Sequence, residues 1–202
     1  MDAITMSGNL DWALTRGGSK ASFWWQLRNK VRWGYIRGWL ASFVVGPIAN
    51  SLGVATILGE LRAIKYALDG TYVDYGVIGR RVVTTAYCEF IVDQHQTESS
   101  VIGDFKFHDS GVGTTAENSS DIAIETTDGE TRATGTQAEE SSVIYRSVGT
   151  IAYTSTKAIT EHGLFNEITT VTLMDRTKFT AINVVNGDSI QFTYGITYTA
   201  GS

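Results

Sequence analysis

The last stretch of the chain alternates so regularly that it leaves little choice of architecture. In DSIQFTYGITYTA, Ile190, Phe192, Tyr194, Ile196 and Tyr198 recur at every second position and share one face of an extended strand. Polar Gln191, Thr193 and Thr197 take the other face. A sheet that is apolar on one side and Thr-rich on the other must bury the apolar side against a second layer. Residues 99–202 are therefore predicted to form an antiparallel β-sandwich or a small barrel, and the chain as a whole is mainly β. SVIYRSVGTIAYTST and TTVTLMDRTKFTAINVV read as further strands, and Asn186-Gly187 marks a tight turn before the last one.

Residues 1–59 differ in kind and are predicted to form an α-helical anchor arm. Between Ser22 and Val45, Leu27, Val31, Tyr35, Trp39 and Phe43 recur every four residues, and Trp25, Ile36 and Leu40 widen that stripe. Gly34 and Gly38 would let another backbone approach, and Pro47 breaks or restarts the helix. Ala41 to Leu58 make an 18-residue window without a charge, the lower limit for a membrane span. Pro47, Asn50, Ser51 and two glycines argue against a span, and burial between subunits is the expectation. No basic region followed by an apolar stretch opens the chain, so no secretory leader is read.

Charge follows the same division. Residues 1–50 carry six cations against Asp2 and Asp11, a net of +4, so with −5 overall the remainder holds −9. A basic arm on an acidic body suggests docking to an acidic surface, to nucleic acid, or to a neighbouring subunit's acidic body. The residues expected to form the interface are Trp24, Trp25, Leu27, Arg28, Val31, Arg32, Trp33, Tyr35, Arg37, Trp39 and Phe43.

Residues 60–98 read as a hairpin turning at Asp69-Gly70, then a short helix over 84–96. Thr84 or Thr85 would cap that helix, and Tyr87, Ile91 and Cys88 would form its buried face. Cys88, the single cysteine, excludes an intramolecular disulfide and is expected to be a small core residue. Residues 111–142, rich in Thr, Gly and acid, are expected to be the most exposed region.

No catalytic constellation emerges. His95, His108 and His162 lack zinc-ligand spacing from one another and from Cys88. Glu161 and His162 are adjacent on a strand, point to opposite faces, and are expected to be hydrogen-bonded surface or loop residues. Asp104, Asp109, Asp121, Glu125 and Asp128 offer oxygens, but DSGVG and ETTDGE lack the spacing of a calcium loop. No phosphate-binding loop is present either. The expectation is a protein that is not an enzyme, with no catalytic residue, metal or cofactor.

Five segments carry a resemblance: FKFHDSGVGTTAENSSDIAIET (105–126), ETRATGTQ (130–137), IYRSVGTIAYTSTKAITEHGLFN (144–166), LMDRTKFTAINVVNGDSIQFTYGIT (173–197) and, more weakly, DYGVIGRRVVTTA (74–86). Together they resemble small structural proteins of tailed bacteriophages, in which an AITEAGLF segment, an LLDRTVFSAIN segment and a GDSIxxTYxLT last strand recur. The resemblance implies a virion localisation and a β-rich component working by contact area and copy number, with no catalytic residues to carry over. The expected role is a capsid-associated decoration or cement protein. The alternatives are a tail, collar or fibre-adaptor protein, or a module binding the host surface. The expected partners are the major capsid protein or other virion proteins and further copies of the chain, with incidental nucleic-acid contact through the basic arm and no membrane.

Overall fold

The structure is a computed structural model, and it describes residues 18–81, 83–94, 105–169 and 172–201. The elements run β1 (Ser19–Lys20), α1 (Phe23–Lys30), α2 (Trp33–Leu40), a π-helical turn (Ala41–Val45), α3 (Gly46–Ser51), β2 (Thr56–Tyr66) and β3 (Tyr72–Arg81). They continue with α4 (Thr85–Gln94), β4 (Phe107–Gly111), β5 (Ala133–Thr134), β6 (Thr136–Ser141), β7 (Ile144–Ala152), β8 (Lys157–Phe165), β9 (Leu173–Val184) and β10 (Ser189–Thr199). Two sheets dominate, a six-stranded one ordered β1-β3-β2-β10-β7-β6 and a four-stranded one ordered β5-β4-β8-β9. Neither sheet closes on itself.

The alternation in the last strand decides where the core lies. Ile190, Phe192, Tyr194 and Ile196 of β10 are fully buried, and Tyr198 at the strand end is partly exposed, its hydroxyl bonded to that of Tyr87. One buried cluster joins these residues and Leu61 and Ile78 of the larger sheet to Ile159, Leu164, Phe179 and Ile182 of the smaller. Each such side chain contributes about 1.5–3 kcal/mol through its removal from water. Asp69-Gly70 turns the β2–β3 hairpin as expected, with Gly70 at φ 84°. Asn186-Gly187 does something else. It carries the chain from β9 in the smaller sheet to β10 in the larger, where β10 pairs with β2 and β7.

The predicted long helix is interrupted. The helical path breaks at Arg32, which is extended at φ −68°, ψ 138°, just after the capping residue Val31. The break lets two short helices serve different surfaces: α1 meets β9 while α2 lies along β3. Gly38 allows the second contact, because a Cβ there would fall 1.6 Å from the carbonyl oxygen of Arg80. Asn29, only 2% exposed, holds α1 to both sheets. Its Nδ2 donates to the Ile78 carbonyl of β3 at 2.8 Å, and its Oδ1 accepts from the Thr180 amide of β9 at 2.9 Å. The helices thus seal the side of the molecule where the edges of both sheets meet, and they are built into the body. Asn29→Ala removes a partner from two buried backbone groups and should lower stability by about 2–3 kcal/mol, read as a shift of the urea midpoint.

Helix α4 starts where expected, with Thr84 Oγ1 accepting from the Tyr87 amide at 3.2 Å. Tyr87 is buried on it, but Cys88 is exposed, which corrects the expectation of a core cysteine. A helix turns about 100° per residue, so burying Tyr87 swings its immediate neighbour out of the core.

Candidate interaction surface

The eleven residues expected to form an interface occupy two kinds of place. Trp24, Leu27, Arg28, Val31, Trp33, Arg37, Trp39 and Phe43 are exposed, with Trp24 at 73% and Trp33 at 67% among the largest values. Trp25, Arg32 and Tyr35 are partly buried. Trp25 packs on the core, stacks edge-on with Tyr75 at 4.6 Å, and donates from Nε1 to the Ala181 carbonyl at 2.9 Å. The Tyr35 hydroxyl accepts from Arg80, whose guanidinium lies 5.4 Å from the Phe43 ring.

Around the exposed set, further apolar side chains stand in solvent: Phe23, Leu40, Val44, Val45, Ile48, Leu52 and Val54. The helical stripe includes Leu40, and the uncharged window from Ala41 covers Val44, Val45, Ile48, Leu52 and Val54; neither marks Phe23. Single exposed apolar residues are ordinary, whereas so many between residues 23 and 54 mark this region as a candidate contact surface. Arg28, Lys30 and Arg37 make no ion pair among the described residues, and residues 18–58 contain no acidic side chain. The surface is therefore apolar, aromatic and basic at once. Trp and Arg suit such a role because each brings a large contact area and a polar handle. Among the described residues no helix is long and apolar enough to cross a membrane.

The polar residues singled out in the sequence lie elsewhere, and the structure corrects the expectation that they are surface groups. Glu161, His108 and His162 are all fully buried. Glu161 and His162 do point to opposite faces of β8, but both faces are covered. On the inner face His162 Nε2 lies 2.9 Å from His108 Nδ1, whose Nε2 lies 2.9 Å from Ser147 Oγ across in the larger sheet. His162 Nδ1 has no partner among the described residues. An unpaired lone pair costs less than an unpaired N–H, so the consistent tautomers are both Nε2–H, His162 donating to His108 and His108 to Ser147. Burial pushes the His108 imidazole down to about 3, and burial followed by the neighbouring ring pushes His162 well below its usual value.

On the outer face, the acid-rich segment after β4 folds back over the smaller sheet. Glu161 Oε1 accepts from the Gly113 and Thr126 amides, each at 2.9 Å, and Oε2 from the Glu125 amide at 3.0 Å and from Arg176 Nε at 2.7 Å. Arg176 reaches on to Asp121 at 2.9 Å and Glu125 at 3.2 Å. Ile124 is buried against Phe165 and Leu173, and Arg132 pairs with Asp109 at 2.8 Å above the Phe165 ring. This segment was expected to be the most exposed of all; most of its residues are, but it is bolted down at Glu161, Ile124 and Arg132.

Of the residues weighed as calcium ligands, Asp109, Asp121 and Glu125 are engaged by arginines, and Asp128 accepts from Ser110 and the Glu130 amide. Asp104 and His95 lie outside the described residues. Among the described residues no group of three His, Cys, Asp or Glu side chains is placed to hold a metal ion. No family model, no curated protein and no solved structure matches the chain.

Proposed function

We propose that the chain is a structural component of a tailed-phage virion, a capsid-associated decoration or cement protein whose two sheets form a β-sandwich body and whose helices dock on a neighbouring protein. The observation that carries this reading is the apolar and basic helical surface held rigidly on the body by Trp25 and Asn29. Rigidity matters because a surface already ordered loses little entropy on docking. Many identical copies then turn modest contacts into large avidity. The sequence resemblance supplies the particle, and the surface supplies the means of attachment.

Quantitative mass spectrometry of purified particles from a phage that encodes the chain tests the assignment. Hundreds of copies per particle are expected. Six, twelve or a few dozen copies would move the protein to the tail or collar, and its absence from washed particles would overturn the virion reading.

A further inference from the structure

The order of the larger sheet places two unlike surfaces at opposite ends of one rigid body. At the end formed by β1 and β3 stand the basic, aromatic helices. At the other end, five strand spacings or about 24 Å away, lies β6, whose single neighbour among the described strands is β7. The helices lie along β3 at the first end, but among the described strands none pairs with the outer side of β6, and such an edge is a template for another chain. Of its exposed side chains, Thr136, Glu139, Glu140 and Ser141, two are acidic. Glu139 has no ion pair among the described residues, and Glu140 has only a loose one, Arg146 at 3.9 Å. Val143, in the turn after β6, adds exposed apolar surface beside them.

We propose that the helical surface takes a second copy of this chain, whose acidic β6 edge docks on it head to tail. This rests on reading the helical surface as a docking site. Arg28, Lys30 and Arg37 supply the charge that Glu139 and Glu140 lack, and Trp24 and Trp33 cover Val143 and the open edge. Because the donor and acceptor surfaces differ and lie at opposite ends, each copy that docks presents a fresh acidic edge. Such a contact builds rings when the rotation closes and filaments when it does not.

Sedimentation velocity of the full chain at tens of micromolar tests the pairing. The wild type is expected as assemblies of three or more copies. Arg28→Glu/Arg37→Glu sets acid against acid, Glu139→Lys/Glu140→Lys sets base against base, and each alone is expected to be monomeric. An equimolar mixture of the two should return to wild-type size, because each surface then meets its opposite. All the substituted side chains are exposed, so urea midpoints should match the wild type. The neutral pair Glu139→Gln/Glu140→Gln should weaken association roughly tenfold. A monomeric or strictly dimeric wild type overturns the pairing, as does a reversal variant that assembles normally or a mixture that stays monomeric. Assemblies that vanish on nuclease treatment also overturn it, assigning the surface to nucleic acid. A monomeric chain that is still found in purified particles defeats this pairing and leaves the virion assignment standing.

Discussion

Arg176→Met is expected to lower the unfolding free energy by about 3–5 kcal/mol, the cost of leaving a buried carboxylate without its cation. Glu161 is fully buried, and three backbone amides share its oxygens with the guanidinium. Those amides belong to the segment that folds back over β8 and β9, so the loss should also release that segment. Asp121 and Glu125 bind the same arginine at the solvent rim, where water screens them. Asp121→Asn and Glu125→Gln should each cost less than about 1 kcal/mol. Urea denaturation at neutral pH reads the energies, and hydrogen exchange at the amides of Gly113, Glu125 and Thr126 reads the release. If Arg176→Met costs no more than Asp121→Asn, the buried pair is not what holds the segment down.

Acidification from about pH 7 to about pH 5 is expected to remove about 2 kcal/mol of stability for each of His108 and His162. Burial lowers both imidazole values in the folded state, so the unfolded chain binds its protons first. The stability is present in full above the unfolded value of about 6.5 and drains away as the pH falls toward the folded values. Carboxylates held low, such as Glu125, Glu130 and Asp188, add losses in the same direction, but only below about pH 4.5. Asp109, raised chiefly by burial, works in the opposite sense. Between about pH 6.5 and about pH 5 the lowered carboxylates stay charged, so the loss of stability comes from the imidazoles, opposed by Asp109. His162→Phe should halve the slope there. A wild-type urea midpoint that stays flat across that interval would show that the pair does not sit neutral in the core.

The β-strands were legible because their burial is one-sided. In β10 Ile190, Phe192, Tyr194 and Ile196 face inward while Gln191, Thr193 and Thr197 face outward, and the periodicity states directly that the strand lies on a core. The buried polar groups were not legible, for the same reason. Glu161 and His162 look like surface residues so long as β8 is imagined with one face in water, and only the returning segment makes the outer face a second interior. The charges that meet there come from ITEHGLF and LMDRTKF, two of the segments on which the sequence resemblance rests, and their pairing gives a physical reason for an acid and an arginine at those points. The helices were legible as helices, but their breakpoint was not. It is set by where Asn29 must reach β3 and β9, and a polar residue amid tryptophans and cations carries no such signal. At Asn186-Gly187 the dipeptide specified a turn and was silent about which sheet the next strand would join.

That last connection bears on how the protein is made. A central strand of the larger sheet comes last in chain order among the described strands: β10 fills the gap between β2, some 130 residues earlier in the chain, and β7. A growing chain on the ribosome holds two unpaired strand edges until β10 has emerged. Pairing over such a separation is slow, and open edges invite association with other chains. Losing β10 would therefore open the middle of the sheet rather than trim its rim, and the time between synthesis and closure is when the molecule is most exposed to misassembly.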